Sequence, residues 1–485
     1  MLLLRRSLLL LAILALLALA GCGGSGVQLA PRPMGPFSAS SLSGMYAVSL
    51  TGVNSFGFFA FAASFQADGH GSIVSGVEDL NSGSGVFTNI ALNGSYTVGA
   101  DGRGVANINS AAAAITLDFV MISSRRALVV RFNNNSTASG SLDLQDSSAF
   151  SNTTIQGAFA FNLAGIDARG NTFATTGNFA PDGSGNISSG FQDLNDSGTI
   201  STNQSLTGSY NVAGNANGRG TVTLATSVGT LNFVAYVVNA NQLKLMEFDT
   251  TPVLAGDAFR QQGPFSNTTL SGPAAFTVGG SNSVARPFVA GGVISADGAG
   301  NITSGVEDIN NNGAVSQNLA VTGTYTIAAN GRGTLTLNSS AGMSQFAIYP
   351  SMGGQMLLEI DTAATSSGTA FAQQGTPFSA GSVQGAYGFN LTGVNAGTEI
   401  DSIAQFSADG VGQLTGALDL NNNGALSNSL ALKSSYSVAA NGRGTAALQS
   451  SAGTQNIVFY VLSNSRVLLI ESDTNPVSVG EFEHQ

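Results

Sequence analysis

The 485-residue sequence has one cysteine, no tryptophan, two histidines and charged side chains at only 9% of its positions. A lone cysteine, Cys22, excludes disulfides within the chain. The two histidines, His70 and His484, lie at unrelated positions, so zinc sites and Ser-His-Asp triads lack their parts. Tryptophan, the side chain that aromatic platforms for sugars usually favour, is absent. Typical soluble proteins carry about 25% charged residues, so this surface must be covered by Ser, Thr, Asn, Gln and Gly. Basic runs are missing as well. Once Arg5 and Arg6 are set aside, 14 basic residues face 27 acidic ones. Such a chain repels phosphate backbones, which excludes nucleic acid as a partner. No stretch beyond the first two dozen residues keeps a helical period, and no residue set calls for a cofactor.

What is present begins with a leader. Arg5 and Arg6 precede the unbroken apolar run Leu8–Ala20, 13 residues long. That length suits a signal-peptide core and is too short to span a bilayer. The run ends Leu19-Ala20-Gly21-Cys22, which resembles the lipobox of bacterial lipoproteins. The resemblance implies cleavage before Cys22, lipid on its sulfur and new amino terminus, and export. With Gly23 rather than Asp after the cysteine, it implies an outer-membrane or cell-surface location. Residues 1–21 are then the signal peptide. Residues 22–36, rich in Gly and Pro, are a tether.

The remainder repeats four times. Phe-Ser opens each unit at Phe37, Phe150, Phe265 and Phe378, and DGxG loops follow from Asp68, Asp182, Asp297 and Asp409. Asp-Leu/Ile-Asn comes next at Asp79, Asp193, Asp308 and Asp419, and then a Gly-Arg-Gly element. Equivalent glycines, Gly44, Gly157, Gly272 and Gly385, are spaced 113, 115 and 113 residues apart. That period is too long for a solenoid repeat of about 20–50 residues, and each copy is long enough to hold its own core. The expected domains are 37–148, 149–263, 264–376 and 377–485. Within each, turn signals fall every 8 to 14 residues between stretches that alternate apolar with small polar side chains. The pattern predicts an all-β fold of four tandem antiparallel domains, each of about eight short strands. An up-and-down barrel is favoured over a two-sheet sandwich, because sequential hairpins close it without long crossovers. Each unit is similar in look to lipocalin-like (calycin) lipoprotein domains, a resemblance that adds no binding residues.

The Gly-Arg-Gly element invites a phosphate-loop reading. In AANGRGTLTL (328–337), however, Thr334-Leu335-Thr336-Leu337 alternates as a strand, not a helix. Register decides the turn. If Ala329-Asn330-Gly331 is a three-residue loop with Gly331 left-handed, Tyr325 pairs with Leu335 and Ile327 lies over Gly333, making both strands amphipathic together. The same register predicts Tyr96 with Ala106, Tyr436 with Ala446 and, in the longer second unit, Val212 with Val222. Arg103, Arg219, Arg332 and Arg443 are left on the polar side at a sheet edge or rim, as candidate surface contacts. An ion pair to Glu247, Glu359 or Glu471 is one use for them, although unit one carries Arg131 at that place.

Asp308-x-Asn310-x-Asn312-Gly and Asp419-x-Asn421-x-Asn423-Gly match the first half of a calcium loop, so these six residues are candidate calcium ligands. Leu319 and Leu430 stand where the bidentate Glu belongs, and Asx turns also account for the pattern. Adjacent Glu78-Asp79 and Glu307-Asp308 point to opposite faces and cannot flank one bond. Glu359/Asp361 and Glu471/Asp473 share a face without a visible cause for a raised pKa. The expectation is therefore a lipid-anchored, non-catalytic repeat protein with a structural or surface-binding role. Its partners would be the membrane, through the anchor, and a glycan or surface protein. The alternative is a carbohydrate- or small-ligand-binding lipoprotein using the barrel mouths, and a hydrolase comes third.

Overall fold

The computed structural model describes residues 36–212, 214 and 216–485. Cys22 and the rest of the leader and tether lie outside the described residues. The four units are four closed eight-stranded antiparallel barrels in tandem. In barrel 1 the strands are β1 (Ser43–Asn54), β2 (Gly57–Asp68), β3 (Ser72–Ser82), β4 (Gly85–Val98), β5 (Arg103–Ser110), β6 (Ala114–Ser123), β7 (Arg126–Asn133) and β8 (Ser136–Leu144). Each pairs with the next, and β8 returns to β1, so every neighbour in sequence is a neighbour in space. Barrels 2 and 3 repeat this order with the fourth strand broken into two pieces, Thr199–Ser205 with Thr207–Asn211 and Ala314–Ala320 with Thr322–Ile327.

Alternation puts one face of every strand inside its barrel. Tyr46, Phe61, Phe65 and Phe119 fill barrel 1, and Phe389, Phe406, Phe459 and Phe482 fill barrel 4. The void left among the barrel 4 aromatics is about 10 Å³, about the space of a single water. Closure brings backbones close: a Cβ on Gly52 would lie 2.1 Å from the Thr137 carbonyl oxygen, so the first strand needs glycine where it meets the last. One end of each barrel is stoppered by a 3₁₀ turn, and a buried tyrosine reaches that turn from the wall. Tyr96 donates to the Leu42 carbonyl at 2.6 Å and Tyr325 to that of Leu270 at 2.6 Å.

The turn register is as the alternation requires. Tyr325 pairs with Leu335 and Ile327 with Gly333, and Gly331 has φ +77°. Tyr96 pairs with Ala106 and Tyr436 with Ala446. The expectation for unit two is corrected: Tyr210, not Val212, pairs with Val222. Slipping by two would have preserved the inward faces too, but the pairing of the tyrosine that holds the 3₁₀ turn is kept. The two extra residues widen the loop instead.

The barrels form a ring. Among the described residues, besides the four barrel cores, there are four apolar clusters between barrels. Ala47, Ala60 and Ala62 of barrel 1 meet Val234, Tyr236 and Met246 of barrel 2, and Ala160 of barrel 2 meets Ala347, Tyr349 and Met356 of barrel 3. Ala275 and Val293 of barrel 3 meet Val458, Tyr460 and Leu468 of barrel 4. Ile403 of barrel 4 then meets Val120, Leu128 and Val130 of barrel 1, which closes the circle. In each case the first two strands of one barrel pack on strands six to eight of the next. The arrangement is heterologous and head-to-tail, and the rotation closes after four copies.

Candidate functional site

The Gly-Arg-Gly turns sit in the seams of this ring. Arg332 lies outside the wall of its own barrel, as its register demands, yet that side faces barrel 2. Its Nε and Nη2 donate to the two oxygens of Asp193 at 2.9 and 2.6 Å. Arg219 grips Asp79 of barrel 1 in the same way at 2.8 and 2.7 Å, and Arg443 grips Asp308 of barrel 3 at 2.8 and 2.6 Å. The three guanidinium side chains are 14–17% exposed and their carboxylates at most 1%. They are internal clamps rather than surface contacts. Tyrosine hydroxyls from the same barrel as each arginine, Tyr236, Tyr349 and Tyr460, donate to these aspartates. Burial, and the carboxylate alongside, push all three phenols well above their ordinary pKa. A backbone N–H completes each site: Asn89, Asn203 and Asn318, all with φ near +55°, donate to Asp79, Asp193 and Asp308 at 2.8 Å.

The asparagine two residues after each aspartate bridges the same seam. Asn81 Nδ2 donates to the carbonyls of Glu247 and Asp249, Asn195 to those of Glu359 and Ala364, and Asn310 to those of Glu471 and Asp473. Asn421 closes the circle onto the carbonyls of Arg131, Asn133 and Ser136. A glutamine at the end of each barrel ties the next Gly-Arg-Gly turn, through the carbonyls of Asn217, Gly331, Asn441 and Asp101, to the strand beside it. Gln145 binds the Val237 carbonyl at 2.7 Å, Gln261 that of Pro350 at 2.8 Å, Gln373 that of Val461 at 2.7 Å and Gln485 that of Met121 at 2.7 Å.

The six candidate calcium ligands belong to these seams and are not drawn around one point. Asp308 holds Arg443, and Asn310 spends its amide across the seam while its oxygen accepts from Gly313 N. Asn421 does the same with Gly424, and Asn312 and Asn423 are left-handed turn residues, φ +52° and +49°. Asp419 accepts from Ser429 N and lies 3.9 Å from Arg103. A cation at Asp308 would have to displace a doubly bonded guanidinium, so hydrogen bonding accounts for the motif. Among the described residues no cluster of three His, Cys, Asp or Glu side chains could hold a metal ion.

Glu247, Glu359 and Glu471 point into their own barrels and do not partner the arginines. Burial pushes Glu247 up to about 9, and Glu359 and Glu471 up to about 8. The sequence could not reveal this cause, because it lies in neighbours that only the closed barrel supplies. In barrel 1 the equivalent Arg131 stacks over the Phe59 ring at 5.1 Å.

Where barrels 1, 2 and 4 meet, a second set of charges appears that the sequence reading missed. Arg126 of barrel 1 contacts Asp143 at 3.0 Å and, from barrel 4, Glu481 at 3.3 Å and Glu483 at 2.9 Å. Lys244 of barrel 2, fully buried, contacts Asp143 at 2.9 Å, Ser141 at 2.8 Å and Asp257 at 3.5 Å. Burial alone would raise Asp143, but Lys244 and Arg126 outweigh it and hold the carboxyl at about 2. Beside these charges lies a cleft of about 260 Å³ lined from barrels 1, 2 and 4, with Ser49, Ser139, Asp257, Asn390 and Glu481 on its walls. A signal existed, since these are positions where the four copies disagree: Lys244 aligns with Leu128, Met356 and Leu468.

The sequence matches no protein-family model and no curated protein.

Proposed function

We propose that the chain is an exported, lipid-anchored, non-catalytic protein that works as a rigid interaction platform. The carrying observation is the use to which the repeated residues are put. Arginine, aspartate, tyrosine, asparagine and glutamine recur because they weld barrel to barrel, and aromatic side chains fill the barrel interiors. Repetition therefore serves assembly. The fourth strand of each barrel is left on the outside, where Thr88, Asn89, Ala91, Asn93, Ser95 and Thr97 are exposed in barrel 1. A ring of four such strands presents a Ser/Thr/Asn surface repeated at fixed spacing, a geometry that favours multivalent contact with a glycan or surface protein. Anchoring rests on Leu19-Ala20-Gly21-Cys22.

A second reading, small-ligand binding at a barrel mouth, is favoured by one observation. Barrel 2 opens into a cleft of about 330 Å³ between Phe173, Leu194, Leu231 and Pro252, with Gln192 and Asp196 converging on it. That volume lies at the small end of the range for ligand sites, about 300–1,000 Å³. The two readings part in one experiment. The full chain and its Cys22→Ala variant are fractionated, tested for lipid labelling, and applied to a glycan array and to an ester and glycoside substrate panel. Membrane recovery and labelling that depend on Cys22, with array binding that weakens when Asn93 and Ser95 are replaced by Glu, is the expected result. Turnover of any substrate ends the platform reading. Binding lost on Phe173→Ala instead moves it to the barrel mouth.

A further inference from the structure

The four seams differ, and the differences gather in the one between barrels 4 and 1. No peptide connection spans this seam, because the barrels follow one another along the chain from 1 to 4. Asp101 stands where the other turns have Asn217, Asn330 and Asn441, and its carboxylate binds Arg103 Nε at 2.9 Å. Arg103 is thereby held back, 3.9 Å from Asp419, where its counterparts make two bonds. Val120 occupies the register place of Tyr236 and Tyr460, so Asp419 also lacks a phenol.

Carboxyl groups meanwhile replace apolar side chains. Asp118 takes the place of Val234, Ala347 and Val458, each of which packs a seam elsewhere. Asp401 takes the place of Ala60, Ala174 and Val289. It is fully buried, with one oxygen accepting from Thr137 of barrel 1 at 2.5 Å. Glu399 lies beside it on the same strand (Thr398–Asp409). From barrel 1 the charged groups facing these acids are Arg103, Asp101 and Asp118; from barrel 4 they are Glu399, Asp401 and Asp419. Arg126, which also crosses this seam, is committed to Asp143, Glu481 and Glu483. Arg103 is thus the cation beside Asp118 and Asp419, while among the described residues Glu399 and Asp401 have only each other as charged groups acting on them.

We infer that the seam between barrels 4 and 1 is a proton-operated closure, shut while Asp118, Glu399 and Asp401 are neutral and opened when they ionise. Burial, with Asp419 nearby, pushes Asp118 up to about 7; burial pushes Asp401 up to about 6 and Glu399 well above its ordinary value. The sign follows: an acid whose pKa is raised in the closed form binds its proton more tightly there, so closure is favoured below that pKa and weakens as pH rises through it. Ionised, Asp118 meets Asp419 with Arg103 alone to offset them, and Glu399 meets Asp401 in low dielectric with no cation beside them among the described residues.

The test uses the full chain with Cys22→Ala and two cysteine pairs carrying spin labels. Asn134→Cys with Ala425→Cys reports this seam, where Gly424 abuts Asn134, and Ala314→Cys with Thr474→Cys reports the seam between barrels 3 and 4, where Gly313 abuts Thr474. The first pair is expected to hold one short distance at pH 5 and to gain a longer population between pH 6 and 8, by about tenfold. The second pair is expected to stay fixed. In Asp118→Asn/Glu399→Gln/Asp401→Asn the first pair should remain short throughout. A first pair unchanged from pH 5 to 9, or one that moves together with the control pair, overturns the closure. The comparison of the two seams in the unsubstituted acids decides by itself, whether or not the triple variant folds.

Discussion

Arg332 and Arg103 each sit between two glycines yet have opposite energetics. Arg332 holds a fully buried carboxylate through two bonds, while Arg103 is spent on Asp101 in its own loop and reaches across the seam only at 3.9 Å. Removing one member of a buried pair strands the other charge, at a cost of about 3–5 kcal/mol. Exposed pairs are worth about 0–1 kcal/mol. Arg332→Ala should therefore lower denaturation free energy by about 3 kcal/mol, and Arg103→Ala by less than about 1 kcal/mol. Equal losses in urea titrations would refute this account of the seams. Asp101→Asn makes the fourth turn read like the others and frees Arg103 for Asp419. A gain of about 1 kcal/mol is expected, measured by the same titration.

At the scale of the element, the bulged hairpin that carries each arginine is fixed by glycine. Gly331 has φ +77°, and a Cβ there would lie 2.8 Å from Gln261 Nε2 and 3.0 Å from the Phe265 ring. Gly331→Ala should cost about 1–3 kcal/mol through the left-handed backbone alone, and it also pushes on the glutamine that clamps barrel 2 to barrel 3. Hydrogen exchange should therefore quicken in both partners, at Gln261–Phe265 as well as in the hairpin. Protection lost only within the hairpin would show the turn to be a local device. The hairpin was legible in advance because turn chemistry and the period-two pattern together admit one register. Barrel 2 is the exception, since two extra residues can enter the loop or slip the strand, and only the Tyr210 contact to the 3₁₀ turn chooses between them.

On the scale of the molecule, two charge networks oppose one another with pH. Asp143, held at about 2 by Lys244 and Arg126, contributes stability that is full above its unfolded value near 4 and lost as pH falls from about 4 to 2. Asp118 and Asp401 work the other way, and their contribution to the closed ring fades as pH rises through about 6 and 7. Glu247, Glu359 and Glu471, raised to about 8–9, add to the same fall, so the melting temperature should peak near pH 4–5, and Asp118→Asn should make the decline between about pH 4 and 7 shallower without abolishing it. Calorimetry across pH 3–9 checks both limbs; a maximum above pH 7.5 would contradict the assignment.

The sequence by itself determined the four copies, their all-β character and the conformation of the Gly-Arg-Gly turn, and it favoured the barrel that strand closure then established. Each of these is written in local spacing, where period-two alternation, glycine at positive φ and short connections leave few solutions. Tertiary structure decided what the repeated residues touch. Asp193 and Arg332 are 139 residues apart, and nothing local says that one barrel's polar rim becomes the next barrel's buried wall. Ring closure decided more still. It turned Asp118 and Asp401 from ordinary strand residues into buried acids, because the surface that desolvates them comes from opposite ends of the chain. Burial between distant segments is a property of the closed circle, and no stretch of sequence carries it alone.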